Sequence, residues 1–573
     1  MKKTVLTSRF FAVTRVSFAG LTQVNISEFV KQAAAGQLIG PDAVAGISVV
    51  LPVLTFLSFL GNVIATGTTM LASYAQGRGD RDEVNRLYSQ GLVICIAGGL
   101  FLTALLAVLR EPFLSAMLPG GEVRFHADAY YRGIMFLPLP ALLSVYYFYF
   151  SVEEGMESIA YSPFVTNLVL GVVLGYFFGT FGIALATLGA SILELWCNAS
   201  FLRDEKCLLK FTGTGGFGAR SAAGTVLRGS STSVGLLCLS LFQLFTTRFI
   251  AARFGDMHIV ELSCVMSLLS LIVSFSLGIS DALQPMICQY YAEGNHLNVK
   301  KIMEQCLESV LVLSVSALIV TECFAEVLPW IFGVTDPGIA AASMRALRVI
   351  AAFMPALSFL MVFSSYYVFM VETVYGVMIQ LVSLLVLPYL FMRGFAFRMG
   401  DRGIWIGTGT AYMAALVLFL VFARCLDRSF GHARDGLFLI DKRVIARQIS
   451  LDCSGTEEGV LDCLDEADAR LREAGIPELR RAKTELLIEE IGMAVVEYEA
   501  GKEFEIEFTI LPGEKPEDTL KLIIRDNAEA RDIGGEEEML VSMREYVAER
   551  IALTTDRRLF LPNGHENRQV FYI

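Results

Sequence analysis

The sequence predicts an all-α polytopic membrane protein that carries a soluble α+β domain at its C-terminal end. The chain has 573 residues, of which 54% are hydrophobic and 18% charged, and its mean hydropathy is +0.56. Soluble globular proteins do not show this composition. Charge is divided unevenly, because residues 1–425 hold 26 Lys and Arg against 25 Asp and Glu, whereas residues 426–573 hold 20 against 33. An apolar part and an acidic part therefore occupy different solvents, and the acidic surface argues against nucleic acid as a partner.

About twelve segments of the apolar part are long enough to span a bilayer, since a helix needs roughly 20 apolar residues to cross about 30 Å of hydrocarbon. The predicted spans are 10–35, 43–76, 87–109, 126–151, 160–180, 182–203, 230–253, 257–287, 302–325, 338–366, 373–393 and 403–424. An even number puts both termini on one side, and the excess of Lys and Arg in the loops there predicts the cytoplasm. The link 203–228 divides the spans six and six. We therefore predict a first lobe at residues 1–210, a second lobe at 211–425 and a cytoplasmic domain at 426–573.

An internal repeat relates the two predicted lobes. A shift of 215 positions aligns the second span with the eighth without a gap, so that Ser48 meets Ser263 and Gly79 meets Gly294. Both spans end in a Gly-containing turn beside tyrosine, YAQGRGDRDEV in one half and QYYAEGNHLNV in the other. Two pseudo-twofold six-helix lobes are a common plan of transporters, which hold substrate between the lobes near mid-membrane and alternate access by lobe movement.

One stretch of the second lobe, GISDALQPMICQYYAEGN at 278–295, resembles the eighth-helix signature of the MATE (multidrug and toxin extrusion) family. Supporting stretches are AGQLIGPDAVAGI (35–47), GTTMLASYAQGRGD (67–80), EEGMESIA (153–160) and GIALATL (182–188). The resemblance covers about residues 1–425 and implies a twelve-helix antiporter that exports organic solutes in exchange for Na⁺ or H⁺. The chain departs from the family at Lys31, where many bacterial members carry Asp, and a fixed ammonium there would repel a coupling cation.

Polar and charged residues within the spans indicate the substrate site, because a charged group at mid-bilayer is costly unless it is paired or faces water. We predict that five of them line a cleft in the outward half of the bilayer: Glu28, Lys31, Gln243, Arg248 and Glu261. Glu28 and Lys31 share one helical face within ion-pair reach. In the alternative interpretation they only neutralise one another so that the first helix can pack. The positive charge in the cleft favours a zwitterion, an anion or an amphiphile as the small organic solute.

Two further acidic residues, Glu194 and Asp281, are the predicted ion-coupling residues. Glu194 on the sixth span could carry a proton, or it could be an acid that its apolar surroundings keep neutral. Asp281 lies in the signature stretch, where a structural role as a cap or hinge is the alternative. The eleven cysteines show no paired spacing, which is typical of small core residues and predicts neither disulfides nor a metal site.

The pattern changes from about residue 436 to short strands and amphipathic helices. The predicted strands are 436–440, 446–452, 503–511, 519–526, 557–561 and 568–573, and the predicted helices are 456–474, 477–498 and 535–552. This arrangement is typical of an α+β sandwich with helices on one face.

The order of these elements over residues 445–573 resembles the GHKL ATPase fold in its small anti-sigma-factor-like form. The resemblance implies an ATP·Mg²⁺ site in which Glu490 occupies the acidic position and Asp526 the adenine-reading position. The metal-binding Asn of that pattern is replaced by Ala494, which offers no ligand. The Gly that lets the base approach is replaced by Ala528. We therefore predict a degenerate site without ATP hydrolysis, and a domain that binds a protein partner or oligomerises.

Taken as a whole, the sequence predicts a transporter of the cell membrane with a regulatory cytoplasmic domain, and not an enzyme. Two alternatives stay open, a non-transporting receptor or scaffold built on a transporter fold, and a flippase of lipids or lipid-linked precursors. A sensor histidine kinase is a poorer fit, because none of the five histidines lies on a helix that leads into the C-terminal domain.

Overall fold

A computed structural model describes most of the chain. The described residues are 4–117, 121–154, 162–203, 207, 209–213, 218–254, 257–326, 337–370, 372–429, 434–499, 502–513, 519–528, 554–555, 557–560 and 566–573. Of residues 21–34 and 257–275 it describes mainly the backbone.

Long helices make up the apolar part. They are α1 (Val5–Leu38), α2 (Pro41–Arg78), α3 (Arg81–Met117), α4 (Glu122–Ile134), α5 (Pro138–Glu154), α6 (Ser162–Asn198), α7 (Ala219–Phe254), α8 (Met257–Glu293), α9 (His296–Phe324), α10 (Pro337–Phe369), α11 (Thr373–Leu381), α12 (Leu387–Met399) and α13 (Arg402–Ser429). A π-helical turn, Val382–Val386, joins α11 to α12. By length and composition, eight helical stretches of the described residues can cross a membrane, or nine if a bent pair forms one span. The chain is therefore a multi-pass membrane protein.

Two of the predicted spans correspond to the arms of α6. Inside this element Gly179 adopts φ +60°, a conformation that favours glycine and reverses the chain. A Cβ on Gly182 would lie 1.9 Å from the carbonyl oxygen of Leu174, and one on Gly189 would lie 3.3 Å from the side chain of Leu170. These pairings show two antiparallel arms. The bent pair is α4 and α5, which meet at 58°.

The internal repeat appears in the hydrogen bonds that end α2 and α8. Gly79 and Gly294 both adopt left-handed conformations, with φ of +75° and +84°. The amide of Gly79 donates to the carbonyl of Gln76, and the amide of Gly294 donates to the carbonyl of Tyr291, which is the position 215 residues later. The side chain after each glycine then caps the next helix. The two lobes therefore end these helices in the same way.

The C-terminal domain contains a small antiparallel sheet. Its strands are β1 (Ile449–Ser454), β2 (Glu505–Leu511), β3 (Lys521–Asp526), β4 (Arg557–Phe560) and β5 (Asn567–Tyr572), in the order β1-β2-β3-β5-β4. Its helices are α14 (Lys442–Arg447), α15 (Glu457–Glu473) and α16 (Glu478–Tyr498). Apolar side chains on alternate strand positions, among them Phe508 and Ile524, form one core with α15 and α16. The other face of the sheet is therefore left for the membrane helices.

The strand predicted at 436–440 is wrong. This segment is a turn in which Leu439 has φ +55°. Phe438 and Ile440 are buried in the core of the second lobe, and the hydroxyl of Tyr366 donates to the carbonyl of Phe438 at 2.7 Å. A short apolar run fills a gap between helices as readily as it forms a buried strand, so periodicity could not separate the two. The helix predicted at 535–552 lies outside the described residues.

Candidate functional site

The two lobes meet through glycines at the end of the helical bundle that carries the C-terminal domain, which we call the tail side. A Cβ on Gly229 of α7 would lie 1.8 Å from the carbonyl oxygen of Val63 on α2. One on Gly67 of α2 would lie 2.1 Å from the carbonyl oxygen of Thr225 on α7. Only glycine lets the two backbones approach so closely. The cleft between α2 and α7 is therefore closed at this level.

Polar side chains join the lobes at the same depth. Gln284 of α8 donates to the hydroxyl of Thr69 on α2 at 2.7 Å, and to the carbonyl of Thr66 at 3.1 Å. Thr69 and Gln284 are themselves related by the shift of 215 positions, so equivalent residues of the two lobes touch each other. The hydroxyls of Thr66 and Thr232 lie 2.8 Å apart. The pseudo-twofold axis therefore passes through this closed contact.

Asp281 lies at the interface between the lobes. Its Oδ2 is 3.0 Å from the hydroxyl of Tyr149 on α5, which is also 3.0 Å from Oδ1 of Asn62. The hydroxyl has one proton to donate, so it can serve only one of these two acceptors at a time. This contact favours the hinge interpretation of Asp281. Glu194 is half-buried on the second arm of α6 in the first lobe, and ion coupling by either acid stays a prediction.

The structure separates two of the predicted cleft residues, Gln243 and Arg248. Gln243 follows Thr225, Gly229 and Thr232 along the row of α7 that faces α2. Arg248 instead completes a row of exposed apolar side chains on α7: Leu237, Leu241 and Leu244. A cleft position for Gln243 fits this geometry, whereas the geometry does not favour one for Arg248. The side chains of Glu28, Lys31 and Glu261 lie outside the described residues.

A buried network of charged residues lies between the C-terminal domain and the tail side of both lobes. We call it the ionic network, and none of its six members is more than 5% exposed: Arg9, Glu293, Glu507, Arg525, Glu566 and Arg568. From the first lobe, Arg9 of α1 pairs with Glu566 at 2.6 Å and donates to Gln289 of α8 at 2.7 Å. From the second lobe, Glu293 at the end of α8 accepts hydrogen bonds from Arg525 and Arg568. Three positive and three negative groups therefore balance.

Strand register assembles the domain's part of this network. Glu507 on β2 pairs with Arg525 on β3, and Arg525 pairs with Arg568 on β5, so the three side chains lie side by side on the face away from α15 and α16. Asn298 of α9 donates to Glu507 at 2.5 Å. Burial opposes the charge of Arg525, but the carboxylates of Glu293, Glu507 and Glu566 together with Tyr290 outweigh burial and raise the pKa of Arg525. Burial lowers the pKa of Arg568, and the nearby carboxylate of Glu293 opposes that shift.

Further contacts tie the domain to both lobes. In the first lobe, Arg568 donates to the carbonyl of Gln76 on α2 at 2.5 Å. In the second, Gln448 donates to the carbonyl of Gly294 at 2.6 Å and accepts from the amide of Leu297 at 2.9 Å. Lys301 of α9 donates to Ser450 at 2.9 Å. The domain therefore holds helix ends of the two lobes at once.

Sequence reasoning missed the ionic network, although the strands carried a signal for it. Glu507, Arg525 and Arg568 each sit one position from the apolar residues that face α15 and α16, which is the pattern of a solvated sheet face. Opposite charges on neighbouring strands are equally compatible with a face that docks on a charged partner. The sequence could not show that the partner is the end of α8.

The predicted nucleotide residues differ in their surroundings. Asp526 is buried at the end of β3 and accepts hydrogen bonds from Asn567 at 2.7 Å and from the amide of Ala528 at 3.2 Å. Burial raises the pKa of Asp526 to about 7. Glu490 is half-buried on α16. Among the described residues no group of three His, Cys, Asp or Glu could hold a metal ion.

We expect the stability of the C-terminal domain to fall as the pH rises from about 4 to 7, because Asp526 ionises near pH 4 in the unfolded chain and only near 7 in the folded one. Asp526→Asn keeps the shape and should remove this slope, which is at most about 1.4 kcal/mol per pH unit. The measurement is urea unfolding of the full-length protein at several pH values. Unfolding is monitored by the chemical labelling of Cys453 and Cys463, which are buried in the folded domain. An unchanged slope in the variant would contradict the assignment.

Comparison with known proteins covers the membrane part. The family model of MatE matches residues 17–177 and 232–392, two ranges that start 215 positions apart. The probable multidrug resistance protein YoeA of Bacillus subtilis (strain 168) is 25% identical over 211 residues, which is 33% of this chain and 43% of that protein. The chain thus matches less than half of that relative's length.

Solved structures share the fold of this part. A MATE protein in complex with MaL6 has a TM-score of 0.68 at 18% identity, over 75% of this chain and 100% of that chain. A multidrug resistance MATE family transporter in an outward-facing conformation scores 0.67 at 18% identity, over 75% and 97%. A MOP superfamily transporter from Pyrococcus furiosus Vc1 scores 0.65 at 18% identity, over 75% and 97%.

Two lobes of membrane helices that touch at equivalent residues around a shared axis define a two-lobed multi-pass membrane protein. The family match covers more than half of the chain and follows its repeat. The protein belongs to the MatE family, whose members are transporters and not enzymes.

Proposed function

We propose that this protein exports an organic solute by alternating access of two six-helix lobes, twelve spans in all, and that its cytoplasmic C-terminal domain regulates the movement. The ionic network is the observation that carries the regulatory part of the proposal. It binds Arg9 of α1 and Glu293 of α8 to one rigid sheet. The tail side cannot open while both helix ends remain attached to that sheet.

The energetics of the network suit a contact that holds the two lobes closed until it is released as a whole, which we call the latch. A buried ion pair adds little net stability compared with apolar packing, but removal of one partner is strongly destabilising because a charge is left buried and unpaired. Separation of the lobes would have to be accompanied by release of the domain, so that water can solvate all six groups together. Binding of a partner or ligand to the released domain would then favour the open state.

The substrate that we propose is a zwitterion, an anion or an amphiphile. Lys31 stands where many bacterial members carry Asp, and Gln243 lies on the row of α7 that faces the first lobe. One of the structures with the same fold is titled "Reverse polarity of binding pocket suggests different function". That protein shares the fold of this chain at 18% identity.

Flux into proteoliposomes tests transport. We expect uptake of an organic anion or zwitterion to follow an imposed Na⁺ or H⁺ gradient and to continue without ATP, because the predicted nucleotide site lacks a metal ligand at Ala494. A protein that shows no solute flux under any gradient, while ligands change the exposure of its C-terminal domain, would instead be a receptor or scaffold. Flux restricted to lipids or lipid-linked precursors would identify a flippase.

Substitution of Lys31 by Asp tests the proposed charge of the cleft. We expect Lys31→Asp to raise the dependence of uptake on Na⁺ or H⁺ about tenfold and to shift preference towards organic cations, because a carboxylate attracts what an ammonium repels. Lys31→Gln is the matched control, since it removes the positive charge without adding a negative one. An unchanged ion response and an unchanged substrate preference in Lys31→Asp would show that Lys31 does not line the cleft.

A further inference from the structure

Four helix ends line an open cavity on the tail side, away from the ionic network. The first lobe contributes the end of α2 and the start of α3, and the second lobe contributes the start of α7 and the end of α8. The cavity has a volume of about 520 Å³. The lining residues that matter here are Tyr74, Arg78, Ser221, Gly224, Arg228 and Tyr291. A Cβ on Gly224 would have no neighbour within 4 Å, so the space beside α7 is open.

Two guanidinium groups dominate the charge of this cavity. Arg228 of α7 lies over the ring of Tyr74, 5.9 Å from its centroid, in a cation–π contact that fixes its position. Arg78 at the end of α2 is exposed and makes no ion pair with any residue that the structure describes. The acidic lining residue, Glu83, is already paired with Arg86 at 2.6 Å. Among the described residues, each lobe therefore presents one arginine without a carboxylate partner.

The surroundings of Arg228 place the cavity at the membrane surface. Val226 and Leu227, the two residues before it on α7, are exposed, and Leu227 is 72% exposed. In a membrane protein such side chains contact acyl chains, so Arg228 stands at the level where lipid phosphates lie. The paired rings of Tyr74 and Tyr291, with centroids 6.5 Å apart, line the same space.

We propose that this cavity binds a phosphate group, carried by an anionic phospholipid or by a soluble phosphate ester. Arginine is the side chain best suited to such a ligand, because its planar fork donates two parallel hydrogen bonds to phosphate oxygens. A phosphate held by Arg78 and Arg228 together links the first lobe to the second. It therefore stabilises the closed tail side, independently of the C-terminal domain.

Lipid binding to the full-length protein tests the site directly. Native mass spectrometry with equal amounts of phosphatidylglycerol and phosphatidylcholine should show preferential retention of phosphatidylglycerol. Arg78→Gln and Arg228→Gln should each weaken that retention about tenfold. Arg424→Gln on α13, an exposed arginine that does not line the cavity, makes the same change in net charge and should have no effect. Because Arg78 is exposed, its replacement leaves folding intact even if Arg228→Gln does not fold.

A parallel titration with inorganic phosphate and glycerol 3-phosphate, followed by thermal unfolding, identifies the source of the ligand. Stabilisation by these soluble anions that depends on Arg78, without retention of phosphatidylglycerol, supports a site for a soluble phosphate ester. Equal lipid retention by Arg78→Gln and Arg424→Gln, with no response to soluble phosphate, overturns the proposal. The readout is binding, so a protein that fails the flux experiment still gives a decisive result here.

Discussion

Glu293→Gln is expected to release the C-terminal domain from the membrane helices. Glu293 is the shared acceptor of Arg525 and Arg568, and all three side chains are buried. Gln removes the negative charge at almost constant volume, so two guanidinium groups lose their main counter-charge. Removal of one partner from a buried ion pair costs about 3–5 kcal/mol. Docking should therefore weaken by at least a hundredfold, and the freed lobes should open and raise the rate of solute flux.

Hydrogen–deuterium exchange can separate release of the domain from its unfolding. Release should raise exchange in β2 and at the start of α9, which meet across the interface through Glu507 and Asn298, while α15 and α16 stay protected by their own core. Glu466→Gln is the matched control, because its pair with Arg470 lies in the same domain but half exposed, where ion pairs contribute little. Unchanged exchange in Glu293→Gln would mean that apolar contacts hold the domain, and the proposed latch would be wrong.

The parts of the fold that follow from periodicity and hydropathy could be predicted from the sequence. Most of the long helices lie in ranges predicted as spans, because about 20 apolar residues have few other stable arrangements in a membrane protein. The span predicted at 126–151 is instead divided between α4 and α5, which meet at 58°. The repeat was readable because the same turn has to end α2 and α8. The strands β2, β3 and β5 could be predicted because each contains a short run of apolar residues, which alternate with polar residues in β2. These features depend on local sequence.

Features that depend on helical phase or on a distant partner were harder to predict. Gln243 and Arg248 were assigned to the cleft by their depth, but five residues correspond to about 140° around a helix, so they lie on different faces. Side-chain charge at Arg525 gave no sign that its counter-ion, Glu293, comes from the end of α8. The turn at 436–440 depends on Tyr366, whose hydroxyl donates to the carbonyl of Phe438. The sequence pattern does not show this contact. Such contacts can be identified only from the positions of the packed helices.

Gly229→Ala is expected to force the tail side of the two lobes apart. The added methyl group would lie 1.8 Å from the carbonyl oxygen of Val63, and that oxygen belongs to the backbone of α2, so no side chain can move out of its way. Helices α2 and α7 must therefore separate by more than 1 Å, which breaks the hydrogen bond between Thr66 and Thr232. We expect the state with a closed tail side to lose most of its population.

Spin labels on α3 and α9 at the tail side would report this separation as a longer distance, and the rate of solute flux would change with it. Gly235→Ala is the matched control, since Gly235 lies on the same helix and a Cβ there meets only side-chain atoms, at 3.5 Å or more. Gly67→Ala should reproduce the effect from the other lobe, because its methyl group would lie 2.1 Å from the carbonyl oxygen of Thr225. If both variants keep the distance of the unmodified protein, α2 and α7 do not form the contact that closes the transport path.

If Gly229→Ala opens the lobes while the C-terminal domain stays docked, the ionic network must stretch with them. The domain would then move with the lobes and would not control their opening.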